Sequence, residues 1–280
     1  MRKRSASAVL SALVLVLFFL ISAGCADNSA PDDIETTSAE ATTESDTAVK
    51  VEMSSETQSV SLEEETIEVA EETTTEADLP QTIPEIVDIF NKSANRIKPE
   101  ATKVVKNYEK RIVDKSKLVV PKALESTAET MIDTFMKDDT EPIVYATREE
   151  IKTEYIVPNQ SYVSKLKASD VEKATCTDKG NEYVIYIKLK DETNPIAGKG
   201  VGSVCDVIET AEVAEKASFI EKFTTDYYDC DVEVTIDKAT GRVTHARYKT
   251  PLVLSVTVNM FGTHDAAIGL TFIKDYTITY

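Results

Sequence analysis

Apolar and polar positions along the chain divide it into four stretches of different character. Ten consecutive apolar residues, Ala12 to Ile21, follow Arg2, Lys3 and Arg4 and precede Ser22-Ala23-Gly24-Cys25. That layout predicts a secretory signal over 1–25, too short to span a bilayer comfortably as a permanent helix. From Ala26 to Leu79 no apolar period exists. Ser and Thr number 17 and Asp and Glu another 17 of these 54 residues, with no aromatic and no Gly. Burial there cannot offset chain entropy, so 26–79 is predicted to be a disordered tether extended by its own charge.

Helical spacing begins after Pro80. Ile86, Ile89, Phe90, Ala94 and Ile97 form one stripe opened by Pro84, and Pro99 ends or kinks it. Ala101, Val104, Val105, Tyr108 and Ile112 resume the stripe as a second helix. A third is predicted from Pro121, with Leu124, Ala128, Met131, Ile132 and Phe135 on one face. Ile151, Tyr155 and Val157 alternate as an edge strand ended by Pro158. Beyond that the period becomes two. Val171–Thr177 and Glu182–Leu189 flank a turn at Asp178-Lys179-Gly180-Asn181, and Tyr183, Ile185, Ile187 and Leu189 mark a buried face.

A Gly-bearing loop, Asn194 to Ser203, leads to a helix predicted over Asp206–Phe223. The chain then closes as an antiparallel meander. Val232, Val234 and Ile236 lie on one strand, and Asp237 to Gly241 form a turn. Arg242–Lys249 returns, and Pro251 opens a further strand with Leu252, Leu254, Val256, Val258 and Met260 on one face. The last strand carries Ile268, Leu270, Phe272, Tyr276, Ile278 and Tyr280, with Lys274 alone breaking the series. That break predicts a bulge or a rim position. The fold class read from this pattern is α+β. Residues 80–280 form a single domain, mainly helical over 80–140 and mainly β over 141–280 with a helix near 206–223, its N-terminal helices packed on an antiparallel meander.

Charge changes the picture only outside that domain. Of the net −18, the signal carries +3 and the tether −16, which leaves −5 for residues 80–280. No basic patch points to nucleic acid. Four cysteines include no CxxC, so no metal site is predicted, and no cofactor. Cys205 and Cys230 bracket the 206–223 helix as a candidate disulfide, which leaves Cys176 as a thiol.

Ser22-Ala23-Gly24-Cys25 resembles the lipobox of bacterial lipoproteins, and the acidic Ser/Thr/Glu tether is similar to those of lipoproteins on Gram-positive surfaces. The resemblance implies cleavage before Cys25, lipid on its thiol and new amino terminus, and residence on the extracytoplasmic face of the cell membrane. The alternative is an ordinary secretory signal or an uncleaved anchor.

Catalytic spacing is absent from the sequence. Gly198-Lys199-Gly200-Val201-Gly202 lacks both the P-loop and the dinucleotide spacing. Ser203 lacks the second Gly of a nucleophile elbow, and only His245 and His264 offer an imidazole base. Asp226, Asp229, Asp231 and Glu233 do not follow the EF-hand order. The reading is therefore a non-catalytic, lipid-anchored binding or interaction module for an apolar small molecule, a peptide or a surface protein. Its ligand contacts are expected at Lys199, Tyr227 and Tyr228, or in a groove lined by Phe272, Tyr276 and Tyr280 where the helices leave the sheet uncovered. The alternative is an exported hydrolase, whose mark is a perturbed carboxylate in a cleft or a His–carboxylate pair.

Overall fold

The computed structural model describes residues 79–120, 129, 130, 132, 136–208, 210, 220–259 and 263–280. The predicted signal, Cys25 and nearly all of the predicted tether lie outside these residues. So does the predicted third helix, except Glu129, Thr130 and Ile132, which are helical.

Helix α1 (Ile83–Ala94) opens with a capping box. Thr82 Oγ1 accepts from the Glu85 amide, and the Glu85 carboxylate takes the Thr82 amide at 3.0 Å. Ile86, Val87, Phe90 and Ala94 are buried against the sheet, as their 3.6-residue spacing dictates. Its Asn91 and Asn95 pin the segment 163–166. Asn95 Oδ1 takes the amides of Val163 and Ser164 at 2.8 and 2.9 Å, and Asn91 Nδ2 donates to the Leu166 carbonyl at 2.8 Å. A single turn, α2 (Ile97–Glu100), follows.

The rest is mostly one antiparallel sheet. Its strands are β1 (Lys103–Val119), β2 (Ile143–Tyr145), β3 (Val171–Asp178), β4 (Glu182–Leu189), β5 (Glu192–Thr193), β6 (Ile220–Tyr227), β7 (Asp231–Asp237), β8 (Arg242–Asn259) and β9 (Thr263–Thr279). The spatial order is β2-β1-β9-β8-β7-β4-β3, with β6 beside β8 and β5 beside β6. The β3–β4 hairpin and the β7–β8–β9 meander match the period-two reading. Gly180 and Gly241, at φ +83° and +64°, close the two predicted turns.

Four expectations are corrected. The second helical stripe is strand β1. Pro99 blocks continuation of the helix, and the β-branched Val104, Val105, Ile112 and Val113 favour the pleat. The edge strand at 151–157 is instead helix α3 (Arg148–Glu154), started by a second capping box, Thr147 with Glu150. Ile151 and Tyr155 are neighbours across one helical turn, a spacing that a short window also reads as alternation. In the predicted 206–223 helix, Asp206–Ile208 are irregular and Ile220–Phe223 begin β6. Thr210 is helical, and the remainder lies outside the described residues. Finally, 242–249 and 251–259 are one strand, not two.

That strand organises the sheet. β9 flanks β8 from His245 to Asn259, while on the other edge β7 takes Arg242–Lys249 and β6 takes Leu252–Val258. Pro251 stands where the partner changes. Its carbonyl accepts the Tyr228 amide at 3.2 Å across the gap, and its missing N–H points to the same side, so no rung of the β8–β9 ladder is lost. Leu252, Leu254, Val256 and Val258 on β8 are buried, as are Ile268 and Leu270 on β9. At the centre Tyr155, Tyr248 and Tyr276 meet edge to face, with centroids 4.8 to 6.5 Å apart.

Candidate functional site

The two strands that flank β9 each carry a β-bulge. β1 pairs Lys106 with Tyr276 and then Tyr108 with Asp275, so Asn107 is an extra residue. β8 pairs His245 with Thr235 and then Val243 with Ile236, so Thr244 is extra. Each bulge shifts which face the following side chains occupy. Between them, on the face away from the tyrosine core, lie His245, Asp275, Asn107 and Thr277.

These side chains form one network. His245 Nε2 lies 3.0 Å from Asp275 Oδ2, and Asn107 Nδ2 donates to Asp275 Oδ1 at 2.7 Å and to Thr277 Oγ1 at 3.0 Å. Both oxygens of Asp275 are thus engaged. Asp275 is buried, whereas the His245 side chain is 39% exposed. The carboxylate fixes the ring, and the ring reaches the surface. Burial, then Asp275, pushes the neighbouring Tyr108 hydroxyl up.

Further along the same face, Asp231 is buried between Arg247 and Lys249 at 3.6 and 3.5 Å. Burial pushes its carboxyl up despite those cations. Lys188 pairs with Asp229 at 2.9 Å and with Glu172 at 3.0 Å. Asp226 accepts from Thr193 Oγ1 at 2.6 Å. The acidic residues from 226 to 233 are thereby drawn to separate partners. Among the described residues no three His, Cys, Asp or Glu side chains are grouped as a metal needs.

The expected contact residues separate. Tyr227 is a core residue whose hydroxyl accepts the Ile208 amide at 3.1 Å. Tyr228 faces outward, with Lys117 Nζ 3.7 Å from its ring centroid. Lys199 is exposed and opens a 3₁₀ turn, Gly200–Ser203, around the Glu192 carboxylate. Glu192 accepts the Val201 amide at 2.8 Å, so the glycine loop binds its own chain's anion. A Cβ on Gly202 would collide with the Ile196 carbonyl. Gly202→Ala is therefore expected to cost about 1–3 kcal/mol in urea unfolding. Wild-type stability in that variant would remove the tight approach as the reason for glycine.

Ser203 is fully buried and donates to the Gly200 carbonyl at 2.6 Å, away from either histidine. His264 is the second residue of β9. Cys205 and Cys230 are buried free thiols and Cys176 is a half-buried one, so the Cys205–Cys230 bridge is not formed here. Burial pushes the Cys230 thiol up to about 12, which makes it inert toward oxidants at neutral pH. Tyr276 is buried, and Phe272 and Tyr280 pack partly buried on the core, so they do not line an open groove.

A second polar chain crosses the opposite, core-facing side. Glu109 is gripped by Lys106 Nζ at 2.9 Å and by Arg111 at 3.0 Å, and Arg111 also holds Asp139 at 2.7 Å. Lys274, directly opposite Glu109 on β9, pairs with Asp206 at 2.5 Å. Burial disfavours the Lys274 ammonium, but Asp206 and Glu109 outweigh it and push its pKa up. Asp206 also takes the Val157 amide at 2.8 Å, and buried Lys98 donates to the Val157 carbonyl at 2.7 Å. Val157 is β-branched yet sits at φ 55°, a conformation costing about 1–3 kcal/mol that these two charged partners hold in place.

None of these residues stood out in the sequence except Lys274, whose break in the apolar series was the one available signal. The bulge at Asn107 lies on β1, opposite the next two β9 residues, while the β8–β9 register stays regular. No protein-family model, no characterised protein and no solved structure matches this chain.

Proposed function

We propose that this protein is a lipid-anchored, extracytoplasmic binding module that meets its partner through the polar sheet face centred on His245, Asp275 and Asn107. The observation that carries this reading is the polar His245–Asp275–Asn107 network beside a bulge on each strand flanking β9, while the apolar faces of β8 and β9 are buried. An apolar ligand has no open apolar groove to enter among the described residues. A peptide, glycan or protein surface rich in hydrogen-bonding groups matches the exposed imidazole, the amide and the flanking Arg247 and Lys249. The acidic tether gives the module reach, and Cys25 holds the lipid.

The hydrolase reading retains one specific support, the His245–Asp275 pair. Against it, Asp275 takes Nε2, which leaves only the ring nitrogen crowded by the residue's own main chain. No serine or cysteine is hydrogen-bonded to His245 among the described residues. The test is one pair of measurements on the full chain. His245→Ala and Asn107→Ala are expected to weaken binding to surface-derived peptides or glycans at least tenfold and, because each strips a partner from buried Asp275, to cost about 1–3 kcal/mol of stability without unfolding the domain. Ester, amide or glycoside turnover by the wild type that His245→Ala abolishes would overturn the binding reading. The anchor has its own check, since Cys25→Ala should abolish incorporation of labelled fatty acid.

A further inference from the structure

We propose that Lys274 and Asp206 condense with each other, without any enzyme, to form an intramolecular amide that ties β9 to the segment after the Gly200–Ser203 turn. Nζ and Oδ2 are 2.5 Å apart. At an ordinary hydrogen-bond angle that places the carboxyl carbon about 3–3.5 Å from the nitrogen, the range of a near-attack geometry. The pair is held from every side. Lys274 projects from a regular β8–β9 ladder, and its strand is paired with β1 on the other edge. Asp206 is fixed through Oδ1 by the Val157 amide, itself clamped by Lys98 on the Val157 carbonyl. Tyr276 and Tyr155 are buried in the adjoining core.

The chemistry closes on the pair itself. One proton moves along the hydrogen bond from the Lys274 ammonium to the Asp206 carboxylate, giving a neutral amine and a neutral acid. The nitrogen lone pair adds to the Asp206 carboxyl carbon, and the oxygen that gains charge keeps its donor, the Val157 N–H. The nitrogen then gives up its extra proton to the departing hydroxyl, the carbon–oxygen bond breaks, and water leaves. An ammonium and a carboxylate become one amide and one water, with no oxidant, reductant or co-reactant.

Amide formation between separate ions in water is unfavourable. Fixed intramolecular partners react as though at about 10⁵ M or more, and hydrolysis would have to restore two charges to a site of low exposure. The side chains of Lys274 and Asp206 are 16% and 21% exposed, which leaves the water a way out. One positive and one negative charge vanish together, and Glu109 keeps Lys106 and Arg111 as its cations.

Tryptic mapping of the denatured full chain decides the matter. Joined, Lys274 is not a cleavage site, and Gly200–Lys216 should appear linked to Thr250–Tyr280 at the sum of the two masses less one water. Fragment ions should place the link at Asp206 and Lys274. In Lys274→Arg, which has no amine to acylate, the same digest should yield Gly200–Lys216 alone. If the wild type gives free Gly200–Lys216 and free Thr250–Lys274 in full yield, the contact is an ion pair and the proposal fails. The wild-type digest suffices even where the variant does not fold.

Discussion

Glu109→Gln is expected to destabilise the domain by about 3–5 kcal/mol, because it removes the anion that three buried or half-buried cations share. Glu109 is 9% exposed, and Lys106 and Arg111 hold its two oxygens at 2.9 and 3.0 Å. Burial alone raises a carboxyl pKa. Here Lys274, Lys106 and Arg111 overcome it and hold the group at about 2. A folded pKa below the unfolded 4.5 means stability is fully present above pH 4.5 and is lost as pH falls toward 2. At about 1.4 kcal/mol per unit that limb is worth about 3 kcal/mol. Urea midpoints at pH 7, 4 and 2.5 read both effects. The variant should be weaker at pH 7 and should lack this part of the acid limb. Equal pH 7 midpoints would show that Lys106 and Arg111 find Asp139 sufficient. With Lys274 converted to an amide the limb shortens, since only Lys106 and Arg111 then oppose protonation.

The same cluster explains why β1 was illegible. In a strand with one buried face, period two shows as alternating apolar residues. The inward positions of β1 are Val104, Lys106, Glu109, Arg111 and Val113, so three of five are charged, and the bulge at Asn107 changes the phase between the second and third. What remained visible was Val104, Tyr108 and Ile112, which mimics a helix. The hairpins were legible because nothing of that kind interferes. Tyr183 to Leu189, Val232 to Ile236 and Leu252 to Val258 keep phase from end to end, and Gly180 and Gly241 mark their turns. The candidate site was illegible for a related reason. Asn107 and Asp275 lie 168 positions apart in sequence and His245 and Asp275 lie 30 apart, and only the pairing of β9 with β1 on one edge and β8 on the other brings them together. His245 could be placed on the outer face of its strand, but no local pattern named its carboxylate.

Lys98 supplies the other large effect, and its sign is opposite to that of Glu109. The side chain is 5% exposed, and burial lowers its pKa to about 8, with Asp206 acting against the shift. Below pH 8 the ammonium is charged in both states and its desolvation cost is fully present. Between pH 8 and 10.5 the unfolded chain still binds the proton while the folded one does not, so stability rises with pH. From pH 8 to 9.5 the gain is about 2 kcal/mol. Buried thiols oppose it, because burial lifts Cys230 to about 12 and unfolding frees it to ionise from about pH 9. The rise must therefore be read as a difference against Lys98→Met, which keeps the thiols and removes the amine. At pH 7 the two should lie within about 2 kcal/mol. Methionine relieves the desolvation but leaves the Val157 and Gln160 carbonyls, which accept from Lys98 Nζ at 2.7 and 3.1 Å, without their donor. Through pH 9.5 the wild type should gain on the variant steadily. Parallel curves over pH 7–9.5 would mean that Lys98 reaches water, and that the left-handed Val157 it holds is not locked from the carbonyl side.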